Sequence, residues 1–180
     1  MPGVHRRLWS TMGSMADQSI RPAEPGDPRD AGRLAALLTA SWGGTVVVGR
    51  GVAHDASRLP ALLAERGGEL VGALTYEIRG GEMEVVTLDA VERRAGAGSR
   101  LLAEATEIAR RELLRRLWLV TTNDNLDALR FYQRRGLRIV AVHRDAVDAA
   151  RRIKPSIPLT GDHGIELHDE LELEVRLARP

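Results

Sequence analysis

The apolar positions of the chain recur with two spacings, and each spacing predicts one type of secondary structure. At Glu170 to Leu177, apolar and charged residues alternate one by one. Because successive side chains of a strand point to opposite faces, this alternation predicts a half-buried strand. It also predicts that the charged residues of this strand, Glu172, Glu174 and Arg176, face solvent.

Apolar residues three and four positions apart predict three amphipathic helices. The first runs from Asp30 to Ala40, the second from about Gly98 to Leu114, and the third from Asn125 to Arg135. Gly136 directly follows the third helix, where a residue of left-handed conformation commonly ends a helix.

Short apolar or β-branched segments, bounded by turn residues, predict the remaining strands. These segments are Ile20 to Ala23, Thr45 to Val48, Glu69 to Ile78, Glu84 to Asp89, Leu117 to Thr121 and Leu137 to Val142. Pro60 to Glu65 fits a helix or a strand. Gly49 to Ser57 is predicted to be a loop, and His143 to His168 to be irregular. This mixed order of elements predicts an α+β or mixed α/β layer fold.

Length and composition narrow the class of protein. A chain of 180 residues that is 43% hydrophobic fits one domain around a single core. A net charge of +1 gives no overall attraction to nucleic acid or to a membrane surface. No apolar run approaches the ~20 residues of a membrane-spanning helix. The chain contains no cysteine, which excludes disulfides, thiolate metal ligands and a cysteine nucleophile.

The first residues of the chain differ in character from the rest. Residues 1–17 are polar and lack the apolar core of a signal peptide. We expect a disordered leader here, or a misassigned start codon with translation from Met12 or Met15. The folded domain is then expected to span 18–180, and the cytoplasm is the simplest compartment for it.

The most informative motif, Arg93-Arg94-Ala95-Gly96-Ala97-Gly98, lies between a predicted strand and the second helix. Two glycines leave backbone N–H groups uncovered at a helix start, and these groups and the helix dipole both favour a phosphate or pyrophosphate. Two known phosphate motifs do not fit. The Gly-Lys-Ser/Thr of a Walker A loop is absent, and Leu101 stands where a dinucleotide fingerprint needs a small residue.

The spacing Arg-x-x-Gly-x-Gly at Arg93, Gly96 and Gly98 resembles the pyrophosphate loop of the Gcn5-related N-acetyltransferases, the GNAT family. Leu88 lies five residues before Arg93, where the family has an apolar residue ending its fourth strand. The resemblance covers Glu69 to Val142 closely, and the flanking segments match in the order of their elements.

Downstream, Asn125, Ala128 and Tyr132 match the family's Asn-x-x-Ala-x-x-x-Tyr helix. The resemblance implies a single-domain GNAT-like fold with a central, mostly antiparallel sheet flanked by helices. It also implies that the family's fourth and fifth strands, here at Glu84 to Asp89 and Leu117 to Thr121, splay apart to admit acetyl-CoA.

The resemblance implies acetyl-CoA as the co-substrate. The pantetheine arm would pair with the backbone of the fourth strand, and the pyrophosphate would lie on the N–H groups of the glycine loop. The residues implied to bind it are Leu88, Asp89, Ala90, Arg93, Arg94, Ala95, Gly96, Ala97, Gly98, Ser99, Asn125 and Tyr132. We expect no metal, because the histidines are dispersed and lack the i, i+4 spacing of a metal-binding helix.

Acetyl transfer to an amine needs a base, a donor for the oxyanion and an acid for the departing thiolate. The resemblance implies Tyr132 as the acid; its alternative role is to pack with Phe131 in the core. Asn125 either binds the cofactor arm or caps the helix that it precedes. A backbone N–H near Leu88 could serve the oxyanion.

Three carboxylates remain open as the base. Glu84 and Asp89 lie on the strand beside the thioester, and regular alternation puts them on opposite faces, so that only one faces the substrate. Glu77 on the neighbouring strand is a third candidate. A water chain without a dedicated base is the remaining alternative.

The acceptor side carries weaker signals. Trp42 and Arg50 lie where the family builds its acceptor pocket, although Trp42 also fits a hydrophobic plug under a loop. Trp118 is expected in the core or on the sheet surface. The C-terminal segment carries a basic cluster, namely Arg144, Arg151, Arg152 and Lys154. Such a cluster forms a solvated face, or it receives an acidic acceptor or the 3′-phosphate of the cofactor.

Together these features predict an acetyl-CoA-dependent N-acetyltransferase that acts on the primary amine of a small molecule by direct attack on the thioester. One alternative is a protein acetyltransferase acting on a lysine or an N-terminus, which a wide peptide groove would favour. The other is an acyl-CoA sensor without catalysis. The expected partner is the small-molecule amine, and we expect neither nucleic acid nor a membrane as a partner. An exposed sheet edge could pair two copies of the chain into a homodimer.

Overall fold

The computed structural model describes residues 18–92 and 95–177, so the predicted leader at 1–17 lies outside the described residues. The strands are β1 (Gln18–Pro22), β2 (Val46–Gly49), β3 (Val52–Asp55), β4 (Ala61–Arg66), β5 (Glu69–Arg79), β6 (Glu82–Ala90), β7 (Arg116–Thr122), β8 (Arg138–His143) and β9 (Glu170–Arg176). The α-helices are α1 (Pro28–Trp42), α2 (Ala97–Arg111), α3 (Leu126–Gln133) and α4 (Ala146–Ile153). None of these helices is both long enough and apolar enough to cross a bilayer.

One sheet contains seven strands in the order β1-β4-β5-β6-β7-β9-β8. Its neighbouring strands run antiparallel except β6 and β7, which are parallel. This arrangement confirms the predicted mixed α/β fold with a mostly antiparallel sheet. The family's fourth and fifth strands are β6 and β7 here, because the hairpin of β2 and β3 adds two strands ahead of them.

Helices cover both faces of the sheet. On one face, α2 buries the predicted apolar stripe that includes Leu101, Leu102 and Ala105. On the other face, α1 buries Leu34 and Leu38 in a second cluster that also contains part of the β2–β3 hairpin. Removing this aliphatic surface from water, at about 25 cal/mol per Å², holds the layers together. The splay between β6 and β7 is therefore framed by two rigid layers.

The structure corrects the prediction of a loop at Gly49 to Ser57. Val52–Asp55 forms β3, which pairs with β2 around the two-residue turn Arg50-Gly51. Because this hairpin lies outside the main sheet, its side chains show no clear alternation: Val47 packs in the second cluster, whereas Val52 and His54 line a cavity. Pro60 to Glu65, which fits a helix or a strand from sequence, lies mostly in strand β4.

The segment from His143 to His168, predicted to be irregular, contains helix α4. Its N-terminal flank is Asp145, which has a φ of 58° and provides no side-chain cap, so the usual start signal is absent. Tertiary contacts hold the helix instead. Just beyond its C-terminal end, Lys154 Nζ donates to Trp42 O at 2.8 Å and to Val46 O at 2.9 Å. Lys154 thereby joins α4 to the end of α1 and to the hairpin.

The prediction that Glu172 and Glu174 face solvent is wrong, although β9 does alternate. Glu172 is 6% exposed and Glu174 is 7% exposed. Arg116 Nη1 on β7 donates to Glu172 Oε1 at 2.7 Å and to Glu174 Oε2 at 2.8 Å. Arg116 Nε also donates to Glu82 Oε2 at 2.8 Å. Buried carboxylates are tolerated here because a guanidinium satisfies them.

Candidate active site

The two parallel strands of the sheet separate after a short contact. β6 and β7 pair at Met83–Leu117 and Glu84–Trp118. A cavity of about 180 Å³ lies between the strands, lined by Val85–Leu88 on one side and Leu119–Thr122 on the other. The backbone of β6 along this cavity pairs with β5 on its other side, so its inner edge is available to the amides of a pantetheine arm. The predicted splay is present at this point.

The glycine loop leads into α2 as an anion site requires. Gly96 has a φ of 90°, a left-handed conformation that glycine adopts without strain, and no side-chain cap bonds the N-terminus of α2. The N–H groups of the first turn are therefore open to an anion. The structure places Ala95, Ala97, Gly98 and Ser99 around this N-terminus. Arg93 and Arg94, predicted to bind the cofactor, lie outside the described residues.

Helix α3 packs against this turn. A Cβ on Gly98 would lie 3.4 Å from Phe131 Cζ, at the limit of ordinary contact. Arg135, which the sequence analysis did not single out, stacks its guanidinium 3.6 Å from the centre of the Phe131 ring. Arg135 Nε also donates to Ser99 Oγ at 3.1 Å. Its charge therefore lies at the first turn of α2. The i, i+4 spacing of Phe131 and Arg135 within the predicted third helix was the signal available for it, although α3 ends at Gln133.

Tyr132 lines the cavity between β6 and β7, with Leu88 across from it. Its ring also meets the Phe131 ring edge to face, with centroids 5.2 Å apart, so the predicted packing contact exists beside the functional position. Burial, and to a smaller extent the negative charge of Asp89, raises the pKa of the Tyr132 hydroxyl. The phenol therefore keeps its proton at neutral pH, as a proton donor must.

Asn125 fulfils its predicted capping role. Its Oδ1 accepts a hydrogen bond from Ala128 N at 3.0 Å, which satisfies one of the open N–H groups of α3. Asn125 and Ala128 also line the cavity beside Tyr132. Capping fixes the start of α3 and hence the position of the tyrosine two turns later.

Trp42, the last residue of α1, lines the same cavity. Its Nε1 donates to Asp89 Oδ1 at 3.1 Å and to Oδ2 at 3.0 Å. At 40% exposure Trp42 does not fill a buried gap, so the plug interpretation is wrong. Burial raises the pKa of Asp89, and hydrogen bonds from Trp42 and Ser41 partly offset that effect.

A β-bulge corrects the predicted orientation of two carboxylates. The register of β6 on β5 shifts between Thr75↔Thr87 and Tyr76↔Val85, which leaves one extra residue in β6. The extra residue changes the alternation between Glu84 and Asp89. Asp89 contacts Trp42 at the end of α1, and Glu84 lines a cavity with the hairpin on the same face. Both carboxylates therefore face the α1 side, and the prediction of opposite faces is wrong.

A second, larger cavity of about 480 Å³ adjoins the first. The hairpin contributes Arg50 and His54, the sheet contributes Glu77, and Trp118 of β7 also lines it. Glu84 lines both cavities, so it stands where they meet. This volume fits a small ligand.

The side chains of His54 and Glu77 lie close to Glu84. His54 Nδ1 lies 3.7 Å from Glu77 Oε2, and ligand atoms of His54, Glu77 and Glu84 all lie within 4.8 Å of one another. Burial, reinforced by the negative charge of Glu77, raises the pKa of Glu84 to about 7. Arg50 acts in the opposite direction. A carboxyl group with a pKa near 7 is well matched to accept a proton at neutral pH.

Trp118 is a site residue that the sequence analysis assigned only to the core or the sheet surface. Its ring lies between two guanidinium groups, with Arg50 Cζ and Arg116 Cζ each 5.2 Å from its centre. The ring is 9% exposed and lines the larger cavity. The scarcity of aromatic residues, 3% of the chain, was the signal available for it.

Comparison with known proteins identifies the family. The model of the acetyltransferase (GNAT) family matches residues 23–137. The chain belongs to the GNAT family. It is 42% identical over 104 residues to the uncharacterized protein YdhI of Bacillus subtilis strain 168; the match covers 58% of this chain and 65%, just under two thirds, of YdhI. It is 35% identical over 147 residues to the uncharacterized protein YxbD of the same organism, covering 81% of this chain and 91% of YxbD.

The fold is that of solved GNAT structures. It superposes on a GNAT family acetyltransferase from Elizabethkingia anophelis with acetyl-CoA bound at a TM-score of 0.64 and 21% identity, covering 89% of this chain and 99% of that chain. Membership of the GNAT family agrees with the predicted co-substrate, acetyl-CoA, and GNAT enzymes need no metal. His54, Glu77 and Glu84 could geometrically hold a cation.

The predicted basic cluster does not act as a unit in this GNAT domain. Arg151 Nη2 donates to Leu167 O at 2.6 Å and to Pro158 O at 2.7 Å, and it thereby fastens the segment after α4. Lys154 holds backbone carbonyl groups as described above. Arg144 and Arg152 are exposed. Two members of the cluster are therefore structural, and only the exposed pair is open to an anion.

Proposed function

We propose that this GNAT protein transfers the acetyl group of acetyl-CoA to the primary amine of a small molecule by direct attack on the thioester. The position of Glu84 carries the proposal. It lines both the cavity that would receive the pantetheine arm and the cavity that would receive the acceptor. A base at the junction of two ligand cavities is placed to act on a nucleophile that approaches the thioester.

On the donor side, the inner edge of β6 at Leu88, Asp89 and Ala90 would pair with the amides of pantetheine. The pyrophosphate would lie on the N–H groups of the turn from Ala95 to Ser99, with Arg93 and Arg94 as further predicted contacts. Arg135 adds a positive charge beside Ser99 and would contact a cofactor phosphate.

The proposed reaction combines proton transfers with the exchange of a carbon–sulfur bond for a carbon–nitrogen bond. The amine enters as an ammonium with a pKa near ~10.4, as for lysine, and transfers one proton to Glu84. The nitrogen forms a bond to the carbonyl carbon, and a backbone N–H near Leu88 stabilises the oxyanion. The carbon–sulfur bond breaks, and the Tyr132 hydroxyl donates its proton to the departing thiolate. The nitrogen, still positively charged after the attack, loses its second proton to water as the amide forms. The phenol regains a proton from water and Glu84 releases its proton to water, so one proton is released in total.

Asp89 and Glu77 suit other roles better than that of the base. Asp89 accepts hydrogen bonds from the Trp42 ring nitrogen, and Ser41 is a further donor to it, so it fixes the cavity wall. Glu77 accepts from Arg79 Nη2 at 2.7 Å and lies 3.7 Å from His54 Nδ1, so it is held at the wall of the acceptor cavity, where it would attract an ammonium. Glu84 is thus the proposed base among the three candidates.

The hairpin that lies over the acceptor cavity supports a small molecule, rather than a protein segment, as the acceptor. The β2–β3 hairpin lies over the sheet beside Glu84, and Lys154 ties its first strand to α4. A peptide acceptor would need an open groove across this region. Cytoplasmic location and a homodimer remain predictions.

Acetyl-CoA binding by calorimetry, followed by thiol release over a panel of amines, tests the proposal. Binding together with acetylation of small amines supports it. Binding with transfer only to peptides would show that the acceptor is a protein and not a small molecule. Binding without any transfer would favour an acyl-CoA sensor. Absence of binding by acetyl-CoA and related acyl-CoAs would overturn the donor assignment as well.

A further inference from the structure

The larger cavity carries charges of both signs on different parts of its wall. His54, Glu77 and Glu84 form a proton-accepting group at the junction with the cofactor cavity. Arginines line the cavity as well, and Arg50 of the hairpin turn is one of them. An amine alone would use only the acidic part. The cationic wall therefore indicates that the acceptor carries an anionic group in addition to its amine.

The other arginines of this wall are already engaged. Arg79 Nη2 donates to Glu77 Oε1 at 2.7 Å. Arg115 Nη2 donates to Glu82 Oε1 at 3.0 Å and to Gly80 O at 2.8 Å. These contacts hold the two guanidinium groups at the cavity rim and reduce their attraction for an added anion.

Arg50 is paired much more loosely. Its Nη1 lies 3.6 Å from Glu172 Oε2, which is beyond hydrogen-bonding distance. That oxygen is already 2.9 Å from His143 Nε2. Among the residues that the structure describes, the Arg50 guanidinium has no hydrogen-bond partner, and its side chain is 42% exposed. Its Cζ lies 5.2 Å from the centre of the Trp118 ring, within cation–π range, and this contact leaves the guanidinium N–H groups available to a carboxylate.

The backbone at Arg50 also needs an explanation. Arg50 has a φ of 48° in the two-residue turn with Gly51, a position that asparagine or glycine fills with least strain. Its backbone N–H donates to Glu170 Oε2 at 2.8 Å, which anchors the turn over the sheet. Turn formation alone therefore does not account for an arginine here, whereas a ligand contact does.

We propose that the acceptor is an aminocarboxylate, whose ammonium group lies at Glu77 and Glu84 and whose carboxylate binds Arg50. This inference rests on the proposed acetyl transfer and names the substrate class for it. Arg50 is then a specificity-determining residue: it orients the substrate so that the amine, and not the acid, reaches the thioester. A guanidinium binds a carboxylate through two parallel N–H groups, which fixes direction as well as position.

Matched substrate pairs give the most direct test. Thiol release is measured with a series of ω-amino acids of increasing chain length and with the primary amide of each, which keeps the amine and removes the negative charge. For the best chain length we expect the wild type to favour the acid over the amide by about 10- to 100-fold in kcat/KM, the range of one charge-assisted hydrogen bond.

Two variants of Arg50 test whether this residue causes the preference for the acid over the amide. Arg50→Gln keeps most of the side-chain length and should reduce the acid-to-amide ratio to near one, whereas Arg50→Lys should keep part of it. Arg58→Gln is the matched control, because Arg58 lies on the neighbouring turn with its side chain 84% exposed and should leave the ratio unchanged. Calorimetry of the preferred acid with the CoA-bound protein gives a second readout that does not depend on turnover.

The outcomes separate the two proposals. Acetylation of neutral amines without preference for the acid overturns the aminocarboxylate assignment and leaves the proposed function standing. A preference that survives Arg50→Gln in a folded variant overturns the role of Arg50. Failure of every amine together with failure to bind acetyl-CoA overturns the proposed function itself.

Discussion

Glu84 lies opposite Trp118 at the last parallel pair that joins β6 to β7. The strands separate from this point, so the pair marks the vertex of the splay. One residue brings a carboxyl group with a pKa of about 7 to the junction of the two cavities. The other brings the aromatic surface on which Arg50 rests. The proposed base and the proposed acceptor wall are therefore fixed to each other by backbone pairing.

The pH dependence of the reaction should report the pKa of Glu84. We expect kcat/KM for the amine to rise with pH through a limb near pH 7, because only the carboxylate form accepts the proton. Glu84→Gln should lose this limb and lower kcat by about 10²- to 10⁴-fold. Rate profiles in overlapping buffers measure both effects. Glu107→Gln, on the exposed side of α2, is the control, and a limb that persists in Glu84→Gln would assign the base elsewhere.

Stability should depend on the same group with a defined sign. Burial raises the pKa of Glu84 from 4.5 to about 7, so the native state holds a proton that the unfolded chain releases. The free energy of unfolding should therefore fall as pH rises from about 4.5 to 7. Glu84→Gln should remove this part of the decline. The free energy of unfolding of the variant minus that of the wild type should therefore be more positive at pH 8 than at pH 4. Urea titrations at these two pH values measure the difference, and an equal effect at both would contradict it.

Loss of the Tyr132 hydroxyl should affect turnover more than binding. We expect Tyr132→Phe to lower kcat by about 10²-fold or more while KM for acetyl-CoA changes little, because the ring still lines the cavity. Tyr76→Phe is a matched control, since burial also raises the pKa of the Tyr76 hydroxyl and the sequence contains only these two tyrosines. Steady-state kinetics distinguish the variants, and equal losses would indicate a packing effect.

A side chain at Gly96 should separate cofactor binding from folding. Gly96 has a φ of 90°, where a β-branched residue is strained by about 1–3 kcal/mol. Gly96→Val should lower acetyl-CoA affinity by tenfold or more, since it shifts the N–H groups that would hold the pyrophosphate. Gly26→Val imposes similar strain at a φ of 82° in an open turn away from α2. Thermal melts should show that both variants lose stability. Calorimetry of the folded variants should show that only Gly96→Val loses affinity for acetyl-CoA.

Arg116 should matter far more to stability than an exposed arginine. It satisfies Glu172, Glu174 and Glu82, and its own side chain is 22% exposed. Arg116→Met removes a guanidinium partner from all three carboxylates, while His143, Arg176 and Arg115 each keep a contact with one of them, and we expect a loss of about 1.5–3 kcal/mol in the free energy of unfolding. Arg110→Met should change stability little, because its pair with Glu107 is exposed. Urea titration compares the two, and equal effects would rule out the network as a source of stability.

The donor side was accessible from sequence because its signals are local. Gly96 and Gly98 lie two positions apart at a helix start, and Asn125 and Tyr132 lie on one short helix. Backbone conformation and helix geometry fix such relationships within a few residues. The mixed fold followed from the order of the predicted elements, and the splay followed from the family resemblance.

The sequence by itself therefore determined most strands of the sheet, the glycine turn that opens α2 and the place of Tyr132 on α3. Tertiary structure alone decided the acceptor side. His54 meets Glu77 from a separate hairpin, and Arg116 reaches Glu172 across 56 positions of the chain. A single extra residue in β6 turned Glu84 and Asp89 to one face. Contacts of this kind depend on how distant segments pack, which no periodicity in the chain encodes.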